Sequence, residues 1–286
     1  LALWAPVQAE SGLDLRRTDF SQTGPLALDH GWAVYSGRLL TPHDIEKSRI
    51  VPDFTGGRLP LVANRLQQSS LPLGEVRTLT LALSLLMPET GGTYALRLGD
   101  VGASYRLWIN GEPVMSHGRL GAASSDEEPR LGVRLVQFEN DGSPIQLVLE
   151  VSSHLYAERW LVAPLSLGLA EDVLFAQNRQ WGGAHFFAGC LLMMGCYHLL
   201  FFCFRRKNRG PLYFGLYCLL WLVSFSASTS SDWFVLLYYP AFPVPLLHRL
   251  EAMSFIASVP IGFMFFNALF PQEFSSRVMR LCQVAG

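Results

Sequence analysis

The side chains suited to binding or proton chemistry fall in three places along this sequence. The first is Trp108, in Tyr105-Arg-Leu-Trp-Ile-Asn-Gly111. It shares one parity of the alternation with Arg106 and Asn110, while Leu107 and Ile109 take the other, so an aromatic ring stands on a polar face. Such a ring can stack on a sugar, or pack under a loop or a neighbouring domain. The second is the cluster His154, Tyr156, Glu158, Arg159 and Trp160, a polar and aromatic loop directly after an apolar strand. Loops at one end of a sandwich hold small ligands, and they also dock on neighbouring elements. The third is His198, in an otherwise apolar run with Tyr197 beside it. A polar residue at membrane depth either hydrogen-bonds and packs between helices or serves as a signalling pivot. His185 lies on the same run but too far along a helix to share a metal with His198.

Asp126-Glu127-Glu128 reads as a solvated acidic loop. No G-x-S-x-G, H-E-x-x-H or Gly-rich phosphate loop occurs, so no hydrolase, zincin or nucleotide site is expected. No metal and no cofactor are expected, and nothing supports a glycosidase pair of carboxylates.

The elements that must carry these residues differ on the two sides of a seam near Trp181. Before it, short segments alternate with turn residues. In Val76–Leu85, Leu79, Leu81, Leu83 and Leu85 point one way and Thr78, Thr80, Ala82 and Ser84 the other, a period of two. Tyr94–Leu98, Tyr105–Ile109, Leu131–Leu135, Ile145–Val151 and Leu165–Leu169 repeat it. Asn110-Gly111 marks a tight hairpin, since both residues tolerate positive φ. No useful helical period interrupts them. Many short strands predict an antiparallel β-sandwich, a jelly roll.

After the seam, Ala184–Phe204 contains no Asp, Glu, Lys or Arg and is long enough to cross a bilayer as a helix. Arg205, Arg206, Lys207 and Arg209 follow at once, then Gly210-Pro211. Further apolar spans are expected over 212–231 and 252–270. Trp233–His248, broken by three prolines, is expected as an outer loop with rings at the interface. Positive charge in a short loop marks the cytoplasmic side, which places the preceding domain outside, in the periplasm of a bacterial inner membrane. From Gly183 onward seven cations stand against three anions, so the acidic excess lies in the head. An acidic head excludes a nucleic-acid surface, which needs clustered Lys and Arg. All five cysteines lie from Cys190 onward, without zinc-site spacing, and are read as small apolar packers. The opening Leu1-Ala-Leu-Trp-Ala-Pro-Val-Gln-Ala9 resembles the tail of an export signal. The expected organisation is a signal remnant at 1–9, a head at 10–176, a junction at 177–183 and membrane helices over 184–286.

Tyr94–Gly111 with His117-Gly118 resembles the galactose-binding-like jelly rolls found in carbohydrate-binding modules and beside glycosidase domains. Leu147–His154, Pro164–Gly168, Phe187–Lys207 and Leu212–Leu220, in that order and spacing, resemble the bacterial seven-transmembrane receptors with diverse intracellular signalling modules. In that family a periplasmic jelly roll precedes a seven-helix module. One departure is Trp221-Leu-Val-Ser-Phe225, where members often carry an Arg that could couple helices. The resemblance implies a sensor, with a diguanylate cyclase, histidine kinase or phosphatase as output beyond this sequence and no catalysis by the chain itself. Trp108, His154, Tyr156, Arg159 and Trp160 are then the candidate ligand residues and His198 the candidate pivot. The 154–160 and 233–248 loops are expected to meet. The expected partners are the lipid bilayer, a small molecule (sugars included) or protein at the head, the output domain, and a second copy in a homodimer. The competing reading is a membrane-tethered carbohydrate-binding or transport-associated protein.

Overall fold

The computed structural model describes residues 12–59, 61–62, 77–99, 104–128, 130, 132–154, 161–162, 165–228, 232 and 234–272. The chain divides into two units, Leu1–Ala176 and Gln177–Gly286.

The first unit is a two-sheet β-sandwich. Its strands are β1 (Gly12–Asp14), β2 (Leu26–Leu28), β3 (Trp32–Ser36), β4 (Phe54–Gly57), β5 (Leu61–Val62), β6 (Thr78–Leu86), β7 (Gly92–Leu98), β8 (Ser104–Ile109), β9 (Glu112–His117), β10 (Arg134–Asn140), β11 (Ile145–Ser152), β12 (Leu161–Val162) and β13 (Leu165–Leu169). The larger sheet runs β4-β3-β6-β11-β8-β9, with β1 joined in parallel to β6. The second runs β10-β7-β13-β2, and β12 pairs with β5 apart from both. The chain passes back and forth between the two main sheets, which is the jelly-roll habit expected from the strand spacing.

Period two explains where the core sits. Leu79, Leu81, Leu83 and Leu85 of β6 meet Leu147, Leu149 and Val151 of β11 and the inner residues of the second sheet, among them Leu96, Leu98, Leu165 and Leu167. Burying an aliphatic side chain of this size contributes about 1.5–3 kcal/mol, so this layer holds the head together without a disulfide. Asn110 and Gly111 take φ of 49° and 84°, the double positive-φ turn their sequence announces.

The outer face of the larger sheet is not bare. Two short helices lie in the head, α1 (Phe20–Thr23) and α2 (Pro42–Ser48), neither expected from the sequence. Thr41 and Asp44 cap α2 reciprocally, with Pro42 in the first turn. Ile45 of α2 and the preceding Leu40 form a second apolar cluster with Tyr35, Ala82 and Val148 on the outer side of β3, β6 and β11. This makes β6 buried on both faces.

The second unit is helical. Helix α3 spans Ala170–Phe204 and crosses the boundary between units; α4 is Gly210–Ser226, α5 Phe234–Tyr238 and α6 Val244–Leu269. Helix α3 starts at Ala170 rather than Ala184, with Glu171 and Asp172 favourably placed in its first turn. Arg205 closes it and Pro211 opens α4. Helix α6 starts at Val244 rather than Ala252, inside the expected outer loop. Pro243 caps it and Pro245 sits in its first turn, where a missing N–H costs nothing. Helices α3 and α6 are long and apolar enough to cross a membrane; α4 is a shorter apolar helix.

Backbones approach closely where α3 meets α4. A Cβ on Gly195 would lie 2.9 Å from Leu219 Cδ2, and one on Gly215 would lie 2.8 Å from Leu199 Cγ and 3.0 Å from the Gly195 carbonyl oxygen. Membrane helices gain little from hydrophobicity when lipid surrounds them, so glycine at a crossing is how they gain packing. Between α4 and α6, Trp221 packs edge-on against Phe255 at 6.0 Å, and Gly262 makes room for Tyr217.

Candidate functional site

Trp108 lies on the outer face of the larger sheet, opposite Val148, and is half-buried. Its indole N–H donates to Glu150 Oε2 at 2.7 Å. Glu150 is only 4% exposed, and Arg106, paired opposite it on β8, places a guanidinium nitrogen 3.9 Å from the same oxygen. The Arg106 guanidinium carbon also stands 5.8 Å from the Trp108 ring centroid, within cation–π range. Burial pushes the Glu150 carboxyl above its ordinary range, the Trp108 hydrogen bond and Arg106 pull it back, and Asp44 adds to the rise. The cluster is therefore an acid held between an indole edge and a cation, with the Arg106 head reaching solvent. A sugar or an anion can meet that indole and guanidinium.

A second polar network closes the far end of β11. The Ser152 hydroxyl donates to Glu127 Oε1 at 3.1 Å and accepts from the Gly121 N–H at 3.2 Å. The His154 backbone N–H donates to Glu127 Oε2 at 2.7 Å, and its Nε2–H donates to the Gly121 carbonyl at 3.0 Å. Glu127 is thus not part of a solvated loop. It is buried at 9% exposure as the acceptor that ties residues 119–128 to the strand end, while Asp126 and Glu128 remain exposed. It accepts from two donors, the Ser152 hydroxyl and the His154 N–H, which offsets the cost of burying a carboxylate. Tyr156, Arg159 and Trp160 lie outside the described residues. Trp108 and His154 are not brought together: six residues of β11 register, about 20 Å of strand, separate their levels.

In the helical unit, His198 Nδ1–H donates to the Met194 carbonyl one turn back, at 2.9 Å. Its ring meets Phe214 of α4 at 4.5 Å, and Phe214 meets Phe265 of α6 at 4.9 Å. The contact to the neighbouring helix is ring packing, so one aromatic column takes a ring from each of three helices. Sequence reasoning missed a clasp at the other end of α3. His185 Nδ1–H donates to the Trp181 carbonyl at 2.7 Å, leaving Nε2 to accept from the Tyr238 hydroxyl at 2.6 Å. On the same helix, Gln177 Nε2 donates to Asp232 Oδ2 at 3.1 Å. The signal was present in the spacing: Gln177, Trp181 and His185 recur every four residues and so share a helix face. Arg205, Arg206, Lys207 and Arg209 occupy the exposed turn between α3 and α4. Among the described residues no cluster of His, Cys, Asp and Glu could hold a metal ion.

A folded β-sandwich is followed by apolar helices, two of them long and apolar enough to cross a membrane. Residues 184–286 match the family described as 7TM diverse intracellular signalling, the family the sequence resembles. No curated protein matches the chain. Among solved structures, similar ones include a GH2 beta-galacturonidase from Eisenbergiella tayi bound to galacturonate. It has 12% identity, a TM-score of 0.34, and coverage of 51% of this chain and 24% of that one. A putative beta-galactosidase from Bacteroides fragilis has 14% identity, a TM-score of 0.33, and coverage of 50% and 23%. This chain spans about a quarter of the length of those enzymes, and at that similarity neither substrate nor activity carries over.

Proposed function

We propose that the head is the input domain of a membrane signalling receptor, exposed outside the cytoplasmic membrane of a bacterium. It senses a small molecule, with sugars the first class to test, or a protein partner. The helices relay occupancy to a cytoplasmic output domain, of cyclase, kinase or phosphatase type, beyond this sequence. The observation that carries the reading is the family match over residues 184–286 directly after a self-contained sandwich. The orientation rests on the four cations between α3 and α4. A ligand shifts such an equilibrium only by its differential affinity for two helix packings, and the His198–Phe214–Phe265 column is a place where two packings can differ.

Two experiments test this. Impermeant thiol labelling of cysteines introduced at Asn208 and at Ser125 in intact cells should modify the second and spare the first; the reverse pattern overturns the orientation. A thermal-shift screen of the head against neutral sugars, uronic acids and envelope fragments should give a stabilising hit that Trp108→Ala or Arg106→Ala removes. A hit that neither variant affects moves the site off the outer sheet.

A further inference from the structure

Taking the head as the input domain, we infer that the outer face of its larger sheet binds an anionic small molecule through Arg106, and that Glu150 behind it takes up a proton as the ligand enters. Elsewhere in the head, arginines close on their carboxylates. Arg16 sends Nε to Asp14 Oδ1 at 3.0 Å and Nη2 to Oδ2 at 2.7 Å, and Arg38 Nη2 meets Asp53 Oδ1 at 2.7 Å. Arg106 stands 3.9 Å from Glu150 Oε2, beyond hydrogen-bond distance. Its guanidinium makes no hydrogen bond among the described residues, so all five of its N–H donors are unspent. The side chain is held all the same, with the Trp108 ring centroid 5.8 Å from its central carbon.

The indole explains the gap. Trp108 Nε1–H already fills Glu150 Oε2 at 2.7 Å. The Glu150 side chain is 5% exposed and that of Arg106 41%, so the acid is held within the face and the cation at its rim. On β9 the residue opposite Arg106 is the exposed Ser116, so no acid competes from that flank. A carboxylate arriving from solvent therefore meets an oriented, planar fork of donors. That fork matches a carboxylate with two parallel charge-assisted bonds, which a neutral hydroxyl cannot reproduce. Neutralising Glu150 alone would call for the close pairing that Arg38 makes with Asp53.

The proton follows from what surrounds Glu150. Arg106 and Trp108 face it from β8, Thr80 from β6 and Asp44 from α2, with Tyr35 of β3 beyond Thr80. The Thr80 hydroxyl is committed to the Arg38 carbonyl and the Leu40 N–H. Arg106 is the one cation of this set. A ligand carboxylate that engages Arg106 draws that charge away from Glu150 and adds a negative charge beside it. Both changes favour the neutral acid. The balance is simple: the Glu150 carboxylate and one proton from solvent give the carboxylic acid, and no other covalent bond changes. An oxygen of the acid still accepts from Trp108 Nε1–H, so the sheet keeps that bond. Burial already lifts Glu150 above its ordinary range. Binding therefore strengthens as pH falls through the Glu150 value, until the ligand's own carboxylate is protonated at about pH 3–4.

Calorimetry tests both halves. Full-length protein in nanodiscs of neutral lipid is titrated with D-glucuronate and with D-glucuronamide, its uncharged analogue, in two buffers of different ionisation enthalpy between pH 5 and 7. Glucuronate should bind roughly tenfold tighter than the amide, and Arg106→Gln should bring the two within roughly twofold. The difference in heat between buffers should show net proton uptake by the wild type, and Glu150→Gln should bind glucuronate with none. Equal affinity for the amide, or no binding of glucuronate, overturns the anionic class without recourse to any variant. Glucuronate binding without proton uptake in the wild type, or with the same uptake in Glu150→Gln, overturns the part given to Glu150. A neutral probe, methyl glucoside, separates this failure from that of the input-domain reading: its binding, lost in Trp108→Ala, keeps that reading and sinks the anionic one.

Discussion

Glu150 and Glu127 are both buried carboxylates on or beside one strand, and they do different things. Glu150 holds its proton to a higher pH when folded than when unfolded, because burial outweighs Trp108 and Arg106. The folded head then binds more protons than the unfolded chain between those two values, and stability falls as pH rises through that window. Glu150→Gln keeps an oxygen toward Trp108 and carries no charge. It should flatten this part of the pH–stability profile and raise the melting temperature at neutral pH, as followed by circular dichroism from pH 4 to 8. Glu127→Ala strips Ser152 and His154 of their shared acceptor. It should cost the head about 2 kcal/mol in urea unfolding. The sequence shows Glu150 as the one charge in Ile145–Val151 and gives its outward register. It does not show that α2 roofs that face, because the roof comes from residues a hundred positions away. Likewise nothing local separates Glu127 from its neighbours; only the folded loop selects it.

At the scale of elements, the legible strands were those with both a clean alternation and flanking turn residues: β6, β7, β8, β11 and β13. The three-residue strands β1 and β2 are too short to show a period, and their pairing is decided by β6 and β13. Helix α2 was not expected: its Thr41-Pro-His-Asp44 start is a capping box, but its apolar stripe is too short to show a helical period among the strands around it. In the membrane half, prolines in Trp233–His248 argue for a loop if read as breakers and for a helix start if read as first-turn residues. The structure takes the second reading for Pro245. The α3–α4 crossing makes a sharp demand. Gly215→Leu must push Leu199 or the Gly195 backbone aside, and overpacking of that kind costs about 1–3 kcal/mol. A lower midpoint in detergent unfolding should follow, whereas Gly189→Leu, with open space beyond its Cβ, should leave the midpoint of the monomer unchanged.

At the scale of the molecule, the head depends on its apolar layer and on no covalent staple, since every cysteine of the sequence lies from Cys190 onward. Reductant should therefore leave the melting temperature of the head unchanged, even for protein exported to an oxidising compartment. What lay furthest from view in the sequence is the input chemistry. The two polar clusters of the head were each half visible, as Trp108 and as His154, but the burial of their acids, Glu150 and Glu127, is decided by the folded neighbours.

Strand β6 has a further consequence for how the head comes to exist. Its neighbours are β1 and β3 from the start of the chain and β11 from near the end of the head. A growing chain that has made β6 thus holds one finished flank and one open row of backbone donors until residue 152 is available. Such long-range closure is slow, in the millisecond-to-second range for sandwiches, and the open flank is a template for pairing with another nascent chain. Fragments ending before Ile145 should aggregate on refolding, whereas those ending after Leu169 should remain monomeric, a difference light scattering would show.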